Sequence, residues 1–155
     1  MPLPPAQRGM YFEEFEPGQK IITAGRTVTE HDVVSFAGLS GDFNQIHTDA
    51  EYSRAGPFSQ RVAHGLCVLS IASGLTVQTG VMEGTVMAFR EILEWKFSAP
   101  VFLGDTIHVE LEVLETRPLP RLGGGAVTLG LDVINHASKS VQKGKWVALM
   151  MSKSR

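Results

Sequence analysis

The fold of this chain is decided by the stretch Val62-Ala-His-Gly-Leu-Cys-Val-Leu-Ser-Ile-Ala-Ser-Gly-Leu-Thr-Val-Gln-Thr-Gly-Val-Met82, which contains no Asp, Glu, Lys or Arg. Its apolar residues predict one long helix from His64 or Gly65 to about Thr79, buried on nearly every side. The residues expected to be buried are Leu66, Leu69, Ile71, Ala72 and Leu75, and those expected to allow close approach to a sheet are Ser70, Ser73 and Gly74. Polar residues and glycines interrupt the stretch too often for a bilayer span, which needs ~20 predominantly apolar residues.

Upstream of this helix, the sequence predicts one strand and two shorter helical segments. The mixture of Ile, Val and Thr over residues 20–28 is typical of a strand. Thr29, with acidic residues in the turn that follows, predicts an N-cap, and the helix after it should end near residues 38–41. Residues 49–54 predict a further helical turn. The apolar face expected for the capped helix is formed by Val33, Val34, Phe36, Ala37 and Leu39.

Downstream, the pattern changes to strands. Apolar and polar residues alternate over residues 105–117 and around residues 127–133, which indicates strands with one buried face. Further strands are expected over residues 85–99 and roughly 144–152, with a glycine-rich hairpin connection over residues 119–125. One long apolar helix packed against antiparallel strands predicts an α+β fold. Periodicity alone does not choose among the possible helix-on-sheet arrangements.

Composition limits the number of domains and the kinds of partner. A chain of 155 residues with 43% hydrophobic content suits a single domain, expected over residues 11–155 after a disordered lead-in over residues 1–10. The formal net charge of −2 and the lack of a basic run argue against nucleic acid or an anionic membrane as partner. The single cysteine, Cys67, indicates a reducing compartment, and the start of the chain lacks the pattern of a secretion signal. We therefore expect a cytoplasmic protein.

Polar and titratable residues are concentrated over residues 37–47 and 61–65. Asp42 and His47 offer a carboxylate and an imidazole five residues apart, a pair that can activate a water molecule. By spacing alone, such a pair is more often a set of turn and capping residues. Asn44, which lies between them, is compatible either with a supporting role in such a site or with stabilising the turn through its own side chain. Gly65 would begin the long helix, where backbone amides lack helical partners. Ser73 is also compatible with a purely structural hydrogen bond to an upstream carbonyl.

The combined pattern resembles a known family. The segment Phe36-Ala-Gly-Leu-Ser-Gly-Asp-Phe-Asn-Gln-Ile-His47, followed by Arg61-Val-Ala-His-Gly-Leu66 and by Ser73-Gly74, is similar to the MaoC-like dehydratases, whose best-known members are R-specific enoyl-CoA hydratases. The resemblance extends over most of the chain and implies a single hot-dog fold, in which an antiparallel sheet wraps a long central helix. The chain departs from the family at Gln45, where proline is usual, and at Leu66, where methionine is frequent.

The resemblance also implies an activity and a set of site residues. Asp42 and His47 would be the catalytic pair that adds water to an α,β-unsaturated thioester of coenzyme A or of acyl carrier protein. The Gly65 amide would stabilise the enolate oxygen, while Asn44 and Ser73 would support the site. No metal and no cofactor are expected. The family also implies a homodimer with an acyl tunnel at its interface.

Two other functions remain open. The chain would serve as a hot-dog subunit that binds acyl thioesters without converting them, if Gln45 disturbs the geometry of the pair. Alternatively, Asp42, His47 and His64 would form the two-histidine, one-carboxylate site of a metal-dependent hydrolase. Acyl chain length, the choice between coenzyme A and carrier protein, the physiological direction and the basic residues that meet the nucleotide do not follow from the sequence.

Overall fold

A computed structural model describes residues 9–153, and its centre is the helix that the charge-free stretch predicts. Helix α4 spans Gly65–Gln78, within one residue of both expected ends. Cys67, Val68, Ile71, Ala72, Leu75 and Thr76 are its buried residues. One expectation is wrong: Leu66 is 60% exposed, because it lies on the side of the first turn that faces away from the sheet. Among the described residues, no helix is both long and apolar enough to cross a bilayer.

Six strands form one antiparallel sheet against α4. They are β1 (Lys20–Ile22), β2 (Arg26–Thr27), β3 (Val86–Phe97), β4 (Thr106–Leu119), β5 (Gly124–Asn135) and β6 (Ser140–Met151). Their order is β1-β4-β5-β6-β3, and β2 also pairs with β4. The hairpin connection between β4 and β5 contains a short 3-10 helix, Pro120–Leu122, which ends at Gly123 with φ of 70°. The α+β architecture with a long helix on an antiparallel sheet is therefore confirmed.

The core lies between α4 and the inner face of the sheet. Alternate residues of β4 and β5 are buried, as their sequence pattern predicts, and they pack with Trp146 of β6 and the buried face of α4. Burying a Val, Leu or Ile side chain stabilises a fold by about 1.5–3 kcal/mol. The inner side chains of β4 and β5 are Ile107, Val109, Leu111, Val113, Val127, Leu129, Leu131 and Val133.

The expected first strand is two short strands. Thr23 interrupts it, because its hydroxyl accepts a hydrogen bond from the Val109 amide at 2.9 Å and donates to the Ala24 carbonyl at 2.9 Å. A side chain that takes a ladder partner displaces the regular backbone pairing. The mixture of Ile, Val and Thr over residues 20–28 gave no sign of this break.

Three helices precede α4 in the chain. Helix α1 spans Glu30–Ser40, and Thr29 caps it as expected: the Asp32 amide donates to the Thr29 hydroxyl, and the Asp32 carboxylate accepts from the Thr29 amide. Helix α2 spans Gln45–Thr48 and α3 spans Ala50–Arg54. The sequence predicted α1 and α3 but not α2. On α1, Val33 and Ala37 are buried, whereas the expected core residues Val34 and Leu39 are exposed.

The described chain begins just before a short 3-10 helix, Phe12–Glu14. Most of the predicted lead-in, residues 1–8, lies outside the described residues, and that prediction is untested. Its last two residues, Gly9 and Met10, belong to the described fold: Gly9 is buried, and the Met10 amide donates to the Val81 carbonyl at 2.8 Å.

Candidate active site

Asp42 lies where the chain leaves α1. Gly41 ends that helix with φ of 78°, in the left-handed region that glycine adopts without strain, so the chain turns sharply at this point. The Asn44 amide donates to Oδ1 of Asp42 at 3.1 Å, which fixes the carboxylate. Oδ2 of Asp42 faces the His47 ring, with 4.0 Å between Oδ2 and Nε2, and the Asp42 side chain is 51% exposed. The carboxylate is therefore held in place and open to solvent at once.

His47 is buried on α2, and its environment fixes which ring nitrogen carries the proton. The side chain of His47 is 9% exposed, and its Nδ1 donates to the Val62 carbonyl at 2.7 Å. A carbonyl oxygen only accepts, so Nδ1 must hold a hydrogen, and in the neutral ring Nε2 holds the lone pair. The basic nitrogen is thereby directed at Asp42. We refer to Asp42 and His47 as the dyad.

His64 connects the dyad to the start of α4. It is 2% exposed, and its Nε2 donates to the Asp42 backbone carbonyl at 2.9 Å. Its ring stacks on His47, with 3.8 Å between centroids and 27° between planes. His64 was predicted as a metal ligand only, and the contacts that join it to Asp42 and His47 depend on the tertiary structure. One side chain thus contacts both members of the dyad.

Gly65 follows His64 and is the first residue of α4. No side chain caps this end of the helix, so its first amides have no helical acceptor. The amides at a helix N-terminus carry partial positive charge and favour an anionic oxygen nearby. Since His64 holds the dyad against this end of α4, a carboxylate, an imidazole and amide donors are brought to one place.

The other two predicted site residues lie in different surroundings. Asn44 is the N-cap of α2, because its side-chain oxygen accepts from the Ile46 amide at 3.2 Å. Asn44 therefore caps the short helix that carries His47. Gln45 is the first residue of α2, a position where proline is favoured, so it takes the family's proline position in a helical conformation. Ser73 is two turns along α4 from Gly65, and within residues 9–153 its hydroxyl has no hydrogen bond.

An ion pair holds the start of α1 to the segment before α4. Arg61 forms a hydrogen-bonded ion pair with Glu30 and also donates to the His47 carbonyl at 3.5 Å. The Arg61 guanidinium lowers the pKa of the Glu30 carboxyl, and Glu30 raises the pKa of Arg61.

Cys67 is buried, and burial raises the pKa of its thiol to about 11. It is thus a core residue without a reactive thiolate at neutral pH.

Asp42, His47 and His64 are also the group that would hold a metal ion, since one ligand atom from each lies within 4.8 Å of the others. An imidazole binds a metal through a ring nitrogen, in the plane of the ring. The two rings are stacked in nearly parallel planes, and each already donates to a backbone carbonyl. The carbonyls take Nδ1 of His47 and Nε2 of His64, so an ion would have to bind the two remaining ring nitrogens, whose lone pairs lie in separate, stacked ring planes. The geometry favours proton transfer over metal binding.

Neither of two prominent cavities in the described part of the chain is lined by the dyad. A groove of about 680 Å³ lies on the outer face of the sheet, lined by alternating charged and apolar side chains such as Lys143, Asp132 and Leu114. A smaller cavity of about 300 Å³ lies beside α2 and α3, bordered by Ile46, Tyr52 and Phe58. Of the dyad itself, the Asp42 side chain is exposed and the His47 side chain is buried.

Comparison with known proteins shows which family and which relatives this chain is similar to. Residues 13–134 match the family model described as MaoC like domain. The chain is 44% identical over 101 residues to protein MaoC of Klebsiella aerogenes, which covers 65% of this chain but only 30% of that protein. It is 32% identical over 124 residues to an (R)-specific enoyl-CoA hydratase of Aeromonas caviae, covering 78% of this chain and 90% of the relative.

Solved structures agree on the fold. A protein described as a monoamine oxidase regulatory protein from Archaeoglobus superposes with a TM-score of 0.88 at 37% identity, covering 96% of this chain and 99% of that one. A Mycobacterium tuberculosis protein with a double hotdog fold superposes with a TM-score of 0.82 at 21% identity, covering 94% of this chain and 45% of that one. The expected hot-dog fold is confirmed.

Proposed function

The chain belongs to the MaoC-like dehydratase family, which makes it a hydratase or dehydratase in broad terms, and we propose that it adds water reversibly to an α,β-unsaturated acyl thioester. The substrate would be an enoyl-CoA or enoyl-carrier-protein, and the product a (3R)-3-hydroxyacyl thioester. The name of the Aeromonas relative supports the substrate class and the R configuration. The observation that carries the proposal is the dyad at the start of α4, with Oδ2 of Asp42 4.0 Å from Nε2 of His47.

This separation suits one water molecule that donates to both groups. Two acceptors of the same water are about 4.4 Å apart when each hydrogen bond is about 2.8 Å long. Both groups offer an acceptor, because the Asp42 carboxylate is exposed and the neutral His47 ring has its lone pair on Nε2. A water held by both hydrogens directs its oxygen lone pairs outward, towards the substrate.

The reaction then needs three steps that this arrangement can supply. The dyad takes a proton from the water as the oxygen bonds to Cβ, and the electrons of the double bond move onto the thioester oxygen. The amides at Gly65 stabilise that oxygen, an effect worth about 10²–10³ in rate for one such donor in other enzymes. The dyad then returns the proton to Cα, so that one water is added overall. We assign proton transfer to the pair, because Oδ2 of Asp42 and Nε2 of His47 are close enough to share one water.

Hydration of crotonyl-CoA tests the proposal. The wild-type protein is expected to lower the enoyl absorbance and to yield the (3R) product on chiral analysis, and dialysis against a chelator should leave the rate unchanged. Turnover that needs an added metal would favour the metal-dependent hydrolase. Binding of crotonyl-CoA, and of longer enoyl thioesters, without any turnover would overturn the proposal and favour a non-catalytic binding subunit.

We further propose that the protein is a homodimer joined at β3. This strand is one edge of the sheet, and an edge strand offers unpaired backbone groups to another chain. Large apolar side chains on it are exposed, which indicates a covered face. These residues are Val86, Phe89, Ile92, Leu93 and Phe97.

Light scattering checks the dimer. At micromolar concentration, the wild type should have twice the mass of the 16.9 kDa chain. The Ile92→Lys variant should shift towards monomer, since it places a charge in the middle of the edge. Leu122→Lys is the matched control, because Leu122 is similarly exposed, at 54% against 46% for Ile92, but lies on the connection between β4 and β5. A monomeric wild type would contradict the dimer.

A further inference from the structure

A buried glutamine connects the sheet to the first turn of α4. Gln142 of β6 is 2% exposed, and its Nε2 donates to the Gly65 carbonyl at 2.9 Å. Its Oε1 accepts from the indole Nε1 of Trp95 at 3.1 Å. An indole N–H only donates, so the amide oxygen must face Trp95 and the NH₂ group must face Gly65. The orientation of the side-chain amide is therefore fixed by its two partners.

Trp95 reaches Gln142 because β3 is irregular at this point. The register of β3 with β6 shifts between Leu93 and Lys96, and Glu94 adopts a positive φ of 53°. Such bulges redirect the next side chain. The Trp95 ring stacks on Trp146, with 5.9 Å between ring centroids. It also covers Gly144, where an added β-carbon would lie 2.6 Å from a ring atom of Trp95, so only glycine leaves it room.

The contact at the Gly65 carbonyl controls the direction of the Leu66 amide. The Gly65 carbonyl shares a planar peptide unit with the Leu66 amide, so a hydrogen bond to the carbonyl orients both. Phe97, which is paired with Gln142 in the β3–β6 register, also touches this residue: a β-carbon on Gly65 would lie 2.7 Å from the Phe97 ring. The first turn of α4 is thus held by two side chains from one rung of the sheet.

We propose that Gln142, oriented by Trp95, is a positioning residue that keeps the amides at the start of α4 aimed at the thioester oxygen. The inference rests on the proposed hydration reaction, in which these amides stabilise the enolate. Gln142 touches no reacting atom itself. A misplacement of about 1 Å at a reacting centre can lower a rate by about 10²-fold, so a loosened first turn has a measurable cost.

The test replaces Gln142 by methionine, which keeps the length of the side chain and removes both hydrogen bonds. We expect kcat for crotonyl-CoA to fall about 10–100-fold. The Kd for butyryl-CoA, a saturated thioester that forms no enolate, should change less than about threefold, because the enolate contact is made only in the transition state. Trp95→Phe, which keeps a ring but removes the donor, should lower kcat in the same direction by a smaller factor.

Thr76→Val is the matched control. Thr76 is 1% exposed, and its hydroxyl donates to the Ala72 carbonyl at 2.9 Å on the same helix, far from Gly65. Loss of the Thr76 hydroxyl removes one buried hydrogen bond within α4, and kcat should stay within about twofold of the wild type. A folded Gln142→Met with wild-type kcat, or with equal losses in kcat and butyryl-CoA affinity, would overturn the inference. If Gln142→Met does not fold, the Trp95→Phe variant tests the inference by the same two criteria.

A second readout separates this inference from the proposed function. The NMR resonances of the Gly65 and Leu66 amides should move in Gln142→Met and stay in place in Thr76→Val, whether or not the protein turns over a substrate. A wild type that hydrates no enoyl thioester overturns the proposed reaction. Unmoved amide resonances overturn the positioning role of Gln142.

Discussion

Asp42→Asn is expected to lower kcat for enoyl thioester hydration by about 10²–10⁴-fold, the usual contribution of a well-placed acid–base group. Asparagine keeps the size of the side chain and an oxygen that can accept from the Asn44 amide. It neither takes nor returns a proton, and it cannot hold the water in the same way. Steady-state kinetics with crotonyl-CoA measure the loss, and turnover unaffected by Asp42→Asn would remove the proposed mechanism.

A double-variant comparison makes this test sharper. If the dyad shares one water, Asp42→Asn combined with His47→Gln should be little slower than the worse single variant, because groups that act as a unit give non-additive losses. Losses that multiply would contradict a shared water. Asp49→Asn is the matched control, since Asp49 caps α3 through the Tyr52 amide at 2.8 Å and lies outside the dyad. It should keep kcat.

Trp146→Ala is expected to lower the free energy of unfolding by about 3–5 kcal/mol. Trp146 is 2% exposed and packs its ring against Phe89, with 5.1 Å between centroids, and against Trp95. Truncation to alanine removes this apolar burial and leaves a cavity that the sheet cannot easily close. Because a domain of this size is stable by only about 5–15 kcal/mol, the effect is a large fraction of the total.

Urea unfolding at equilibrium measures this change. The urea concentration at the midpoint of unfolding should fall. The dependence of the unfolding free energy on urea concentration should change little, because it reports the surface exposed on unfolding. Leu122→Ala serves as the comparison, because Leu122 is 54% exposed and should change stability by less than about 0.5 kcal/mol. A loss below about 1 kcal/mol for Trp146→Ala would show that the core collapses around the vacant site.

Much of the fold was predictable because local signals agree with the tertiary structure. The charge-free stretch predicted α4 to within one residue of both its ends, Gly65 and Gln78. Thr29 marked the start of α1, where its side chain accepts from the Asp32 amide. Alternation of apolar residues predicted β4 and β5, since a strand with one buried face must alternate. Where local preference and burial point the same way, the sequence predicts the element correctly.

The errors fall where a residue's environment depends on distant parts of the chain. Leu66 and Leu39 were expected in the core but are exposed, because an apolar side chain does not reveal which side of its helix faces the sheet. Helix α2 was missed because four residues are too few for periodicity. The break between β1 and β2 depends on Val109, which lies 86 residues from Thr23.

The sequence alone determined the long helix and the α+β class, because each depends on spacing or residue type within a short stretch. Its resemblance to the family predicted the dyad residues. Only the tertiary structure decided that Val62 sets the proton on His47, that His64 stacks on His47, and that Gln142 bonds the Gly65 carbonyl. These contacts join residues 15 to 77 positions apart along the chain. The direction of a lone pair or a backbone amide is set by its partners in space, so no local pattern encodes it.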